Sequence, residues 1–426
     1  LNKTRFERGS VGHIRLHVLP TNRFKTFAIS LYAGLPLQEQ TVTATALTPF
    51  VLRRGTESYP ETTQFREQLE HMYGAGFGFD VYKRGNYQMV QFRMDTINDS
   101  FVKSNESLLG QSFAFLGEVV TKPAKENGVF RTAYVNSERE SVRKKLEGII
   151  NDKIRYAAER CTEEMFKDDP YRLHPLGERS ELDEITPEAL YASYQSWLQQ
   201  AHLDLYVVGD TTLAEVEELV AKHFSLNRST SPDYEPEQVQ IRGGEVRTVK
   251  EALDVNQGKL NLGLRTPITY GDDRYASLLL YNGILGSYPH SKLFINVREK
   301  ESLAYYAASR YDGHKGIVGI QSGIEIANYE KALRIIEAQL ASMRAGEISE
   351  LEMSQTKAMI RNSLLEMQDS AFEMIAYDFN RVLSGKDRPA EELLRQVEQV
   401  QPQDVVAAAE TVQLDTIYFL TGQKEG

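Results

Sequence analysis

The 426-residue chain has one cysteine, Cys161, one tryptophan, Trp197, and no apolar run long enough for a membrane-spanning helix. A single thiol excludes both a disulfide framework and a cysteine metal cluster. It fits a reducing, cytoplasmic compartment. Residues 1–20 alternate charged and apolar positions and lack the apolar core of a signal peptide, so none is expected. Basic excess is missing too: 49 Lys and Arg stand against 60 Asp and Glu, a net charge of −11. Divided at residue 230, the parts carry −3 and −8, so nucleic acid is not an expected partner. The eight histidines, His13, His17, His71, His174, His202, His223, His290 and His314, are scattered. No two share metal-ligand spacing on a convincing helix, and no metal is expected in this chain.

What is present is a repeat. Residues 185–210 and 400–423 both read as a capped amphipathic helix followed by an apolar strand ending in Gly, offset by about 215 residues. Residues 27–35 pair with 259–265 as strands. Residues 65–85 pair with 293–313 as a helix followed by strands. Each half also carries a long helical stripe. One spans 137–166 through Val142, Leu146, Ile149, Ile150, Ile154, Ala157, Cys161 and Met165. The other spans 349–376 through Leu351, Met359, Leu364, Leu365, Met367 and Met374. The fold class expected is α+β: two homologous half-domains, each with helices against a largely antiparallel sheet, closing as a clamshell around a chamber. The boundaries expected are 1–226, a polar Pro- and Gly-bearing linker over 227–244, and 245–426.

The second half carries Leu285-Gly286, then Ser291-Lys292-Leu293-Phe294, Arg298-Glu299 and Leu303-Ala304-Tyr305, in order. This pattern resembles the insulinase or pitrilysin family of zinc peptidases, which includes mitochondrial processing peptidase. The resemblance extends through both repeats over nearly the whole chain. It implies that Arg298 positions substrate carbonyls and that Tyr305 donates to the developing oxyanion of a site in the other half. Fixed donors aimed at that oxygen stabilise it most. Tyr306 is the rival, since a slip of one residue swaps the rings.

The family's first half carries His-x-x-Glu-His, two ligands one helical turn apart with a general base between them, and a Gly-Thr shortly after. Gly55-Thr56 are present, and counting back places the motif on Ala46, Leu47, Thr48, Pro49 and Phe50. Ala46 and Phe50 stand where histidines belong, and Pro49 where the base belongs. None can ligate or accept a proton, and a proline disfavours a helix interior. Glu138 best matches the third ligand, with Glu140 as rival. After the cap candidates Asn136 and Ser137, the simpler reading of Glu138 is a helix N-terminal charge. Glu67 and His71, four apart, read as a solvated helix face, and His13 and His17 as strand residues. His174, with Tyr171, Pro175 and Gly177, reads as loop packing, and Trp197 as core or interface.

Three functions compete. The first is a non-catalytic subunit that binds unfolded peptide and lends Arg298 and Tyr305 to a zinc-bearing homologous chain, zinc residing in that partner. The second is a peptide-binding or scaffold homodimer without hydrolysis, using an exposed strand edge. The third, a stand-alone metallopeptidase, is opposed by the missing ligands. The acidic second half would favour basic peptides.

Overall fold

The computed structural model describes residues 5–423 except 105, 231, 237, 240, 242 and 243. The strands of the first half are β1 (Glu7–Val11), β2 (Ile14–Pro20), β3 (Thr26–Pro36), β4 (Gly76–Arg84), β5 (Tyr87–Ile97), a short ribbon of β6 (Lys125–Glu126) with β7 (Val129–Phe130), and β8 (His202–Gly209). Those of the second half are β9 (Arg247–Leu253), β10 (Gly258–Arg265), β11 (Ala304–Asp312), β12 (Ile317–Ile324) and β13 (Gln413–Gly422). The first sheet runs β1-β2-β8-β3-β5-β4 and the second β11-β12-β10-β13-β9. Read from β4, and leaving out β1, the first sheet repeats the order of the second. Each has a parallel pair at the matching place, β2 with β8 and β9 with β13. The three repeat pairs legible in the sequence occupy equivalent places in this topology.

The central strand β3 is buried along almost its whole length, which is why it reads as a nearly unbroken apolar run. Ile29, Leu31, Ala33 and Leu35 pack against the first half's own helices, while Ala28 and Tyr32 point to the other face.

That other face is covered from the far half. The stripe expected over 137–166 is not one helix. A helix over Thr132–Gly148 ends in one tight turn at Ile149–Asn151, and a second begins at Lys153, where the Asp152 side chain caps the Arg155 amide at 3.1 Å. Val142 belongs to the first core, but Ala157 and Cys161 pack on Tyr418 and Leu420 of the second sheet. A Cβ on Gly263 would lie 2.7 Å from Met165 Sδ, so glycine lets the Met165 side chain seat closely on the sheet. Burial there pushes the Cys161 thiol up to about 12.

The second half repeats the arrangement in reverse. Its stripe breaks at Gln368–Ser370, and the helix Ala371–Ser384 crosses to the first sheet. There Phe379 stacks on Tyr32 at 3.9 Å, beside Tyr206 and Val208. The preceding helix, Glu350–Met367, buries Met353, Thr356, Ile360 and Leu364. Leu351 (64% exposed), Met359 and Leu365, which the sequence stripe placed inside, face out. Helices therefore cover both faces of each sheet, its own on one and the other half's on the second.

Carboxylates fasten both crossings, Asp378 buried and Glu251 part-buried. Asp378 accepts from Arg8 at 2.6 and 2.9 Å, from Tyr206 Oη at 2.9 Å and from Arg381 at 3.0 Å. Glu251 accepts from Tyr156, Tyr418 and Arg160 at 2.6, 2.6 and 3.2 Å. Arg8 also meets His17 Nδ1 at 2.7 Å. A guanidinium only donates, so Nδ1 accepts and Nε2 donates to Asp204 at 2.8 Å. His17 is thus a buried linker in a polar chain, and His13 sits in the β1–β2 turn with φ of 63°.

Part of the segment 227–244 is anchored. Arg228 donates to the carbonyls of Leu198 and Ala201, and Tyr234 stacks on His202 at 4.3 Å. Residues 231, 237, 240, 242 and 243 of the expected linker lie outside the described residues.

Two outcomes follow from this architecture. Residues 1–244 expressed alone lack the helix that covers Tyr32, Tyr206 and Val208. Stripping the packing from one buried aromatic side chain costs about 3–5 kcal/mol. The fragment is expected to aggregate or bind a hydrophobic dye, and a monomer with a cooperative unfolding transition would contradict this. The second concerns Asp204. Burial alone would raise its pKa, but hydrogen bonds from Arg15 and His17 outweigh it and hold the carboxyl down at about 2, against an ordinary 3.8. A depressed folded-state pKa gives stability that is present above the unfolded value and lost as pH falls through the folded one. The stability gap between wild type and Asp204→Asn, measured by urea unfolding, is expected to shrink by about 2 kcal/mol between pH 5 and pH 2.

Candidate functional site

The helix Glu39–Leu52 carries the positions Ala46, Pro49 and Phe50, and every residue from Val42 to Leu52 is buried except Ala44. An all-round apolar helix must be enclosed, and this one packs between the helices Thr132–Gly148 and Pro187–Gln200. Contrary to the sequence expectation, it runs straight through Pro49. Packing on every side outweighs the one backbone hydrogen bond that proline removes.

Phe50 fills the space where a ligand would stand. Its ring meets Phe79 of β4 edge-on at 4.8 Å, and the Arg53 guanidinium lies over both rings at 5.6 and 5.4 Å. Glu138 is 1% exposed and sits seven residues into the helix Thr132–Gly148, so it is not an N-terminal charge. Asn136 and Ser137 lie inside that helix rather than capping it. Glu140 is exposed and pairs with Arg143 and Lys144.

A buried carboxylate needs a countercharge. Glu138 has two: Arg54 Nη1 at 3.2 Å from Oε1, and Arg53 Nη2 at 3.6 Å from Oε2. The fold implies zinc beside this residue, but the residues present do not fit it. An alanine and a phenylalanine hold two ligand positions. The remaining carboxylate already has two countercharges, Arg54 donating to Oε1 and Arg53 standing 3.6 Å from Oε2, which accepts no hydrogen bond among the described residues. Among the described residues, no group of three or more His, Cys, Asp or Glu could hold a metal ion. Glu67 and His71 are exposed on their helix.

In the second half, two wide π-helical stretches, Gly283–Ser287 and Phe294–Lys300, precede β11. Such turns often accompany functional positions. Arg298 lies on the second of them, with its guanidinium over the Phe294 ring at 4.6 Å and Glu299 at 3.8 Å. A bulge in β11 pairs Ala304 with Ile324 and Tyr306 with Gly323, leaving Tyr305 out of register. Bulges re-aim side chains, and Tyr305 is 53% exposed. Tyr306 packs over Gly323, and burial together with Asp152 pushes its phenol up to about 12. No hydrogen bond or ion pair among the described residues ties Arg298 or Tyr305 to the helix Glu39–Leu52.

A cavity of about 600 Å³ lies between the halves. Asp152, Arg155 and Glu159 line it from the first crossing helix, Lys83 from β4, and Arg310 and Gln321 from the second sheet. Lys83 donates to the Tyr171 carbonyl at 2.6 Å, and burial pulls its ammonium down to about 8. Tyr171 spans the halves by donating to Asp312 at 3.0 Å. His174 accepts from the Leu176 amide at 3.1 Å and packs in the loop, as expected. Trp197 is core. Sequence reasoning passed over Arg53, Arg54 and Lys83. The first two had a signal, a pair of arginines directly after the dismantled motif.

A duplicated α+β unit without a His-x-x-Glu-His motif fits the two-lobed zinc peptidases that the sequence resembles. The profile of the peptidase M16 inactive domain matches residues 184–360. The probable inactive metalloprotease YmfF of Bacillus subtilis is 40% identical over 415 residues, covering 96% of both chains. The uncharacterized zinc protease Rv2782c of Mycobacterium tuberculosis is 26% identical over 250 residues, 58% of this chain and 57% of that one. A conserved protein from Enterococcus faecalis V583, solved by crystallography, superposes with a TM-score of 0.91 at 32% identity, over 99% of this chain and all of the other. The chain belongs to the peptidase M16 family, as an inactive homologue.

Rebuilding the motif tests the charge argument. The triple variant Ala46→His, Pro49→Glu, Phe50→His is expected to bind zinc weakly in a chelator competition assay, because Arg53 and Arg54 hold Glu138. Adding Arg53→Ala and Arg54→Ala should tighten binding roughly tenfold or more, the scale of groups that tune a metal's ligands. Equal affinity with and without the arginines would refute the countercharge role.

Proposed function

We propose that the chain is a non-catalytic subunit that binds peptide and supplies Arg298 and Tyr305 to a zinc-bearing M16 partner. The observation that carries this reading is how differently the two motifs are used. The first-half motif is spent on the fold: Phe50 is core and Glu138 is neutralised by arginines. The second-half pair is not. Tyr305 is half exposed on a bulge, and Arg298 is exposed with only a loose ion pair. A tyrosine kept at the surface on a distorted strand contributes little to stability, so its use lies outside this chain. Among the described residues, no helix is long and apolar enough to cross a membrane.

A specific observation favours a second reading. Among the described residues, β4 and β11 are edge strands with one unpaired side each, which suits peptide addition by a scaffold without hydrolysis.

Mixing separates the two. The chain combined with a His-x-x-Glu-His homologue from the same genome is expected to hydrolyse peptide that neither hydrolyses alone. Arg298→Ala or Tyr305→Phe should then lower the rate by roughly 10²–10³, the cost of one oxyanion donor. Binding without turnover in every mixture supports the scaffold, and turnover indifferent to both substitutions removes their assigned roles.

A further inference from the structure

Beside the erased metal position lies a cleft of about 490 Å³. Its floor is apolar: Phe50 from the former ligand helix, and Phe79 and Val81 from β4. Its rim carries Arg53, Lys145 and Arg155. Among the described residues, the only acidic one lining it is Asp80, and Arg93 engages that carboxylate.

Three features give this cleft a net positive charge that the fold does not use up. Glu138, beneath it, is shared between two guanidinium groups, which leaves one positive charge over. Arg53 is 46% exposed, yet its guanidinium is held in place over two aromatic rings rather than waving in solvent. Lys145 is exposed and has no ion pair among the described residues, whereas Arg155, 56% exposed, donates to Glu159 at 2.7 Å through Nε and so adds donors rather than net charge. The cleft also abuts the open side of β4, whose outer edge pairs with no other strand among the described residues.

We propose that the cleft beside the erased metal position is a carboxylate-binding site: an extended peptide lies along β4 with a carboxylate held by Arg53, Lys145 and Arg155. Two guanidinium groups and an ammonium line this one cleft, and such groups bind carboxylate through charge-assisted hydrogen bonds. Apolar residues flanking that carboxylate in the ligand would cover Phe79 and Val81. The preference is opposite to the one that the net charge of −8 beyond residue 230 suggests. Local charge decides here, because screening confines each charge to about 8–10 Å. The inference rests on the peptide-binding part of the function proposed above and names the ligand class that part takes.

The test uses the full chain and fluorescein-labelled peptides of about ten residues, read by anisotropy. One peptide is glutamate-rich and C-terminally amidated, the second is its glutamine counterpart, also amidated, and the third is the glutamine peptide with a free C-terminus. The glutamate peptide is expected to bind about tenfold tighter than the amidated glutamine peptide at low salt. That gap should close at about 500 mM salt. Lys145→Glu and Arg155→Gln, both at exposed positions, should each weaken the glutamate peptide alone. Recovery of affinity by the free C-terminus assigns the site to terminal carboxylates, and no recovery assigns it to side-chain ones. Either supports a carboxylate site. Equal affinity of the two amidated peptides, or indifference to both substitutions, overturns it while leaving peptide binding intact. Failure of all three peptides to bind overturns it too, and the mixing assay then decides separately whether Arg298 and Tyr305 serve a partner.

Discussion

The exchange of helices between the halves is the constraint on which the rest depends. A β-sheet with two apolar faces needs two covers. Each half builds only one, and takes the other from its sister. Lys153–Met165 lies on the second sheet and Ala371–Ser384 on the first. Because the covers cross, the chamber between the halves has fixed walls, and the same helix that closes the second sheet lines the cavity with Asp152, Arg155 and Glu159. The carboxylates Asp378 and Glu251 stand at the two crossings, each bonded by side chains from both partners. At buried Asp378, several donors fix geometry more than they add free energy.

Within that frame, removing a metal is a charge problem as much as a ligand problem. Deleting the histidines alone would strand Glu138 in the interior, a cost of several kcal/mol. The arginines following the helix remove that cost, and Phe50 fills the volume. The result is packed aromatic and guanidinium groups at the position where a reactive centre would stand, with a cleft beside them.

The repeat was legible because strand alternation and capped helices recur at a constant offset, and the loss of the zinc motif because Gly55-Thr56 fix its frame. The crossing was not. The apolar stripe through Ile149 and Ile150 keeps helical spacing across the break, and spacing does not say which sheet a stripe lies on. Asn151-Asp152 was the available stop signal, since Asp152 caps the next helix. The stripe read from Leu351 to Met374 was right at Leu364 and Met374 but wrong at Leu351, Met359 and Leu365, because spacing alone does not separate the two sides of an amphipathic helix. Arg53 and Arg54 look like helix-end charges until Glu138, more than eighty positions on, is brought to them. Whether Tyr305 or Tyr306 faces outward turned on a bulge, which pattern alone does not reveal.

The crossing also sets an order in time. As the chain leaves the ribosome, the cover for the second sheet is made before that sheet exists. The cover for the first sheet comes last, after nearly the whole chain. At 5–20 residues per second, Tyr206 and Val208 wait roughly ten to thirty seconds for Phe379 to arrive. During that interval the nascent first half presents a finished sheet with one bare aromatic face.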